Sequence, residues 1–237
     1  MKNSKEYSQE VQKHFRSLRR RYKKPEKPEY EDPIYAMVYA VLLENLSEKD
    51  AAEALEKIHE HYIDFNELRV SRTQETVEVL RHLDKKPAQN IATELNRSLQ
   101  TVFRKYNFLS LKPIQKDGIR SARSMMEDRE GISHFVANYI TLTTLDGHAL
   151  PLNEQMIEYL RENDLVHPDA DPDDIEGFLA RQISADDIYE FYVLLRRASE
   201  SSQRGMRKGK KATKKKKGKT KKAKKSTKTK KTQKTKK

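Results

Sequence analysis

Gly131-Ile132-Ser133-His134-Phe135-Val136-Ala137-Asn138-Tyr139-Ile140, followed by Gly147-His148-Ala149-Leu150-Pro151-Leu152-Asn153, is the stretch on which the fold turns. Gly131 breaks the chain, and Phe135, Val136, Tyr139 and Leu142 then recur at helical spacing, so a helix starts just after it. Pro151 and Asn153 interrupt the chain again before Met156, Ile157 and Leu160 open the next helix, with Asn153 as its cap. On these residues alone, the simpler reading of Gly131 is that it ends the helix before it. The other reading has a chemical use. A tight turn running into a helix N-terminus presents backbone N–H groups that can hold a phosphate. Glycine lets the backbone approach closely and take φ > 0. Ile132 would then be the buried anchor of the turn, and Ser133 is small and keeps its N–H.

Outward from this stretch the chain is helical in both directions. Asp32–Pro33 reads as an N-cap followed by proline at the first helical position. Ile34 to Leu43 is apolar almost all round, as a central helix should be. Ser47-Glu48-Lys49-Asp50 resembles a capping box, with Ala51, Ala54, Leu55 and Ile58 facing inward beyond it. Ser71 or Thr73 opens a further helix with Val77, Leu80 and Leu83. Residues 87–108 form a longer one through Ile91, Leu95, Leu99, Val102 and Phe103, and Ile119, Ala122, Met125 and Met126 mark the next. Downstream, Asp171–Pro172 caps a helix to about Gln182, and Ser184-Ala185-Asp186-Asp187 opens a last one with Ile188, Phe191, Tyr192, Leu194 and Leu195. No run alternates as a half-buried strand would. The expected class is all-α, with about nine or ten helices and short connections.

Charge is segregated along the chain. Residues 204–237 carry 20 Lys or Arg and no acid. Residues 1–24 hold 9 basic and 2 acidic residues, so residues 25–203 are left with 20 basic against 34 acidic. Three segments follow: a basic N-terminal helix over 1–24, an acidic helical domain over 25–203, and a Lys-rich tail over 204–237 that lacks the apolar surface to order itself. In the first segment Val11, Phe15, Leu18 and Tyr22 form an apolar stripe ringed by Arg and Lys, which reads as a helix docked on the body with a solvated basic face. Such asymmetry points to a polyanionic partner, nucleic acid first. The tail offers Lys214, Lys215, Lys216, Lys217, Lys221 and Lys222 without interleaved aromatics, and no Arg follows Arg207. It therefore supplies point charges to phosphates and no base readout.

Absent residue types exclude several chemistries. With no cysteine in the chain there is no disulfide, thiolate metal site, iron–sulfur cluster or cysteine nucleophile. His59 and His61 are the one close histidine pair, and on a helix they point to different faces, so no metal is expected. No apolar run follows the basic N-terminus as a signal peptide needs, none approaches the length of a membrane span, and an intracellular setting is expected, in cytoplasm and nucleoid or in a nucleus.

The 131–153 stretch, with Leu42-Leu43-Glu44-Asn45 at the first core helix, resembles the helix-hairpin-helix core of the endonuclease III-like DNA glycosylases. The resemblance runs from about Asp32 to about Ala198. It favours the hairpin reading of Gly131 and implies a two-lobed all-α fold in which Gly131, Ile132, Ser133 and His134 approach DNA and Asn45 lies near the opposite strand. It also implies a catalytic lysine and a catalytic aspartate, at positions occupied here by Phe135 and Asn153. A phenyl ring cannot form a Schiff base, and an amide cannot serve as a carboxylate. The family's iron–sulfur cysteines are missing too, so no cofactor is expected. Other residues that could carry chemistry are Glu154, beside Asn153, His134, beside Phe135, and Lys112 and Lys116 before the hairpin.

Three functions fit. The first is a catalytically degenerate member of this base-excision-repair superfamily, a monomer that holds double-stranded DNA without sequence specificity through hairpin and tail. The second is an active glycosylase or abasic-site lyase using non-standard residues. The third is an architectural nucleoid or RNA-associated protein. The resemblance leaves open whether the chain is an enzyme.

Overall fold

The computed structural model describes residues 4–116 and 131–203. Among the described residues the regular structure is entirely helical. In chain order the helices are α1 (Ser4–Arg21), α2 (Pro33–Asn45), α3 (Glu48–His61), α4 (Phe65–Val70), α5 (Thr73–Val79), α6 (Lys85–Tyr106), α7 (His134–Thr144), α8 (Glu154–Glu162), α9 (Pro172–Gln182) and α10 (188–203). Residues 112–116 are also helical. The helix expected around Ile119 to Met126 and the tail from residue 204 lie outside the described residues. The chain divides into two units, Met1–Arg196 and Arg197–Lys237, and α1 to α9 belong to the first. None of the described helices is long and apolar enough to cross a membrane.

The core is built around α2, as its composition requires. From Ala36 to Leu43 every side chain except that of Tyr39 is buried. It packs on α3, on α6 and most extensively on α7, whose residues Phe135 to Thr143 are all buried. A helix buried over most of its length must satisfy most of its terminal N–H and C=O groups inside the protein. At the N-terminus Asp32 does this, its Oδ1 accepting from Ile34 N at 2.9 Å. The same oxygen accepts from Leu111 N at 3.0 Å, and Ser110 Oγ donates to Oδ2, so one carboxylate ties α2 to the chain leaving α6. At the C-terminus the buried Arg196 guanidinium donates to Leu43 O at 2.7 Å and Leu46 O at 2.6 Å.

Most boundaries fall where the caps predict. Ser47 accepts from Asp50 N, Asn153 from Met156 N, and Asp171 precedes Pro172 at the head of α9. The last helix begins at 188 rather than at Ser184, because residues 185–187 form a turn first. Helix α4 is absent from the sequence expectation. At six residues it is too short to show a period, but Asp64 caps it by accepting from Glu67 N, while Glu67 Oε2 accepts from Ile63 N. The spacing of Asp64 and Glu67 was its one sequence signal. Asn96 of α6 holds its far end by donating to Arg69 O at 2.8 Å.

The N-terminal helix docks through its apolar stripe, with Val11, Phe15 and Leu18 buried and Tyr22 half-buried. Phe15 meets Phe191 edge-on at 5.2 Å between centroids. Arg19 lies over the Phe15 ring, holds Glu190 through Nε at 3.0 Å and a terminal nitrogen at 2.8 Å, and also pairs with Asp187.

Asp32→Ala strands the buried Ile34 and Leu111 N–H groups. Cap loss and unmet donors together should cost about 2–4 kcal/mol in urea unfolding. Asp32→Asn, which keeps an acceptor oxygen, should recover more than half of that. A loss below about 1 kcal/mol would show that Asp32 does not organise the α2 terminus.

Candidate nucleic-acid interface

The hairpin stretch is fixed to α6 before it reaches α7. Gly131 is buried, and its carbonyl accepts from the buried Ser98 Oγ at 2.8 Å. A Cβ on Gly131 would collide with the Thr101 hydroxyl and come within 3.3 Å of Arg97 O. Glycine is needed here for close approach. The φ > 0 expected from the sequence is not what it supplies, since its φ lies outside the left-handed region. Ile132, 7% exposed, is the apolar anchor that the sequence suggested. Ser133 caps α7 by accepting from Val136 N at 3.2 Å. His134 is exposed, with Nε2 at 2.7 Å from Glu176 Oε2 and 3.1 Å from Asn138 Nδ2.

Beside the hairpin lies a cleft of about 210 Å³, lined by Val41, Glu44, Glu94, Arg97, Ser98 and residues of the hairpin and α7. Its central polar group is Glu44, whose Oε2 accepts from Ser133 Oγ at 2.6 Å. Burial pushes the Glu44 carboxyl above its ordinary pKa. Nearby Glu94 pushes the same way, while the Ser133 bond and His134 pull it back. Asn45 is exposed and donates to Glu94 Oε2 at 2.9 Å and to Val41 O at 3.2 Å. Glu44 was not among the functional residues expected from the sequence. The available signal was a carboxylate ending a helix that is otherwise apolar all round, where α2 leaves the core.

The two positions at which the resemblance implies catalysis serve structure. Phe135 is 3% exposed. Asn153 Oδ1 accepts from Met156 N at 3.0 Å, and its Nδ2 donates to Glu44 O at 3.4 Å. An aspartate could make the first contact but not the second, because a carboxylate has no donor. Of the other candidates, Glu154 is exposed in the first turn of α8. Lys112 is exposed and pairs with Glu31 at 3.5 Å, and Lys116 is exposed. Lys214 to Lys217, Lys221 and Lys222 lie outside the described residues. His59 packs against Tyr35 and Phe65, whereas His61 faces Glu75 at 3.3 Å. No group of potential metal ligands occurs among the described residues. The structure thus brings together Ser133, Glu44 and Asn153, with Asn45 alongside through Glu94.

Solved structures share this arrangement of helices. An endonuclease III trapped in a covalent intermediate with DNA, in an estranged-adenine complex, superposes with a TM-score of 0.62 at 12% identity, over 79% of this chain and 84% of that one. The H. pylori 3-methyladenine DNA glycosylase MagIII bound to 1,N6-ethenoadenine gives 0.60 at 17% identity, over 83% and 98%. A thermostable thymine-DNA glycosylase gives 0.57 at 10% identity, over 83% and 85%. No family model and no curated protein matches the chain. The chain has the endonuclease III-like helix-hairpin-helix DNA glycosylase fold, in agreement with the all-α class expected from its sequence.

The raised pKa of Glu44 fixes a sign for stability against pH. The folded state holds this proton more tightly than the unfolded state, so Glu44 favours folding at acid pH. That contribution fades as pH rises from the ordinary carboxylate value through the folded one. Glu44→Gln keeps an acceptor for Ser133 and has no proton to lose. Its melting temperature relative to the parent should therefore climb between about pH 4 and pH 7. A difference that stays flat with pH would mean that Glu44 ionises as it does in the unfolded chain.

Proposed function

We propose that this chain is a DNA-binding protein built on the DNA glycosylase fold, one that holds duplex backbone without sequence preference and without lysine-based lyase chemistry. One observation carries the reading. Where the resemblance implies a nucleophile and a carboxylate, Phe135 is buried and Asn153 has both ends of its amide committed to hydrogen bonds. Backbone contact falls to the start of α7, where the helix dipole, the half-buried Ser133 and the exposed His134 face a phosphate. Most of the attraction falls to the tail, whose lysines offset a body with 34 acidic and 20 basic residues over 25–203. With about 6–10 lysines engaged, affinity should fall by roughly 10³–10⁵ between 50 and 200 mM salt. The protein would act as a monomer, inside the cell, and without a cofactor.

The test uses residues 1–203, so that tail amines cannot attack an abasic aldehyde. Incubated with an abasic duplex and borohydride, this truncated protein should give no trapped adduct, and turnover by it would overturn the reading. His134→Glu tests the hairpin more cleanly than a substitution at Gly131, where Thr101 fills the space. It should weaken duplex binding several-fold, by more than the small loss of melting temperature expected from ending the Glu176 contact would account for.

A second reading is favoured by one feature. Glu44 places a carboxyl of raised pKa in a cleft beside the hairpin, next to Asn153. In an active glycosylase of altered chemistry, this group, rather than Glu154 or His134, would donate the proton to a departing base. Base release that occurs in the parent and disappears in Glu44→Gln, with duplex affinity unchanged, would establish that reading in place of the first.

A further inference from the structure

We propose that the solvent face of α1 is a second phosphate-binding track, formed by Lys13, Arg16 and Arg20. This deepens the proposed function and rests on its nucleic-acid partner. The four arginines of α1 divide by geometry. Arg19 is a docking residue, stacked over Phe15 and paired with Glu190 and Asp187. Arg16, Arg20 and Arg21 are exposed, and among the described residues no ion pair involves them. Arg16 uses its Nε on Gln12 O, one turn back in its own helix, and Arg21 lies over Tyr22.

At 100° per residue, Lys13, Arg16 and Arg20 fall on the side opposite the buried stripe of Val11, Phe15 and Leu18. With a rise of about 1.5 Å per residue, the three cations sit roughly 4.5 and 6 Å apart along the axis. That is the scale of neighbouring charges on a nucleic-acid backbone, where each strand presents a phosphate about every 3.4 Å of helix axis. Lys13 is shared with Glu10 in an exposed pair at 3.1 Å, of a kind that contributes little and yields to a stronger anion.

The partner's class follows from what α1 no longer has. A basic amphipathic helix binds a bilayer by burying its apolar face among the acyl chains. Here that face is already taken: Phe15 packs on Phe191, and Val11 and Leu18 are buried. What α1 offers is charge on a rigid rod, without an apolar face. A phosphodiester chain needs nothing more, whereas a membrane surface would be held by charge alone, without the apolar burial that anchors such helices.

The experiment compares the full-length protein with Lys13→Gln/Arg16→Gln/Arg20→Gln and with the charge-keeping Lys13→Arg/Arg16→Lys/Arg20→Lys. Affinity for a 20-base-pair duplex is measured across a salt series. The neutralised variant should melt at the parent temperature and bind about tenfold more weakly at 0.1 M salt, with a log–log salt slope reduced by about 2–3. The charge-keeping variant should match the parent. A parent that binds duplex, together with a neutralised variant of unchanged slope, would overturn this track and leave the DNA-binding reading standing. A parent that fails to bind duplex would remove both. In a parallel arm with phosphatidylglycerol vesicles, vesicle binding by the parent that is lost on neutralisation, with no change in the duplex slope, would mean that the face meets membranes instead.

Discussion

A helix buried over most of its length imposes the constraint from which the rest of this structure follows. Side chains along the middle of α2 are apolar, so packing stabilises it readily, but the backbone groups at its two ends still need partners. An unmet buried backbone group costs about 1–3 kcal/mol, and several such groups would match the whole stability of a typical domain. Asp32 settles the N-terminus and also holds Leu111 N and Ser110. Arg196 settles part of the C-terminus, where its positive charge also meets the negative end of the helix dipole. Burying a guanidinium is expensive, and carbonyls in fixed positions are what make it tolerable.

The same constraint builds the candidate site. The last turn of α2 emerges from the core carrying Glu44 and Asn45, and its exposed carbonyls draw in partners from distant parts of the chain. Asn153 is one of them, donating to Glu44 O while capping α8. In this light the amide at position 153 is more than a carboxylate lost. It joins the C-terminus of one helix to the N-terminus of another, a task requiring one donor and one acceptor on the same side chain. Phe135 fits the same pattern, since a lysine there would bring an ammonium into a helix buried along nearly its whole length.

How much of this was legible in the sequence depended on the range of the physics. Caps and periodicity are local, and so Asp32–Pro33, Ser47, Asn153 and the stripe of α1 could be read directly. Six-residue α4 carried too little periodicity, although Asp64 and Glu67 marked it. Of the two properties that the sequence suggests for Gly131, close approach holds and φ > 0 does not, and that the neighbour approached is Thr101 is a tertiary fact that no local pattern carries. Glu44 was missed on the same ground. Its importance comes from Ser133, 89 positions away, and Asn153, 109 positions away, and a spacing pattern carries no information about such partners.

Electrostatics then decides where affinity for the proposed duplex partner would come from. The hairpin is a weak anion site as it stands. Glu44 occupies the Ser133 hydroxyl, Glu94 stands beside it, and Glu176 faces His134. Three carboxylates around a helix N-terminus offset much of what the dipole offers a phosphate. Cations must act from elsewhere, and the chain keeps them apart from the acids, in the first 24 residues and after residue 203. A division of labour follows. On the proposed function, the flanking cations would set how strongly a duplex is held and how steeply that hold depends on salt. By the same reasoning, the acidic cleft would add no affinity of its own for a phosphate backbone.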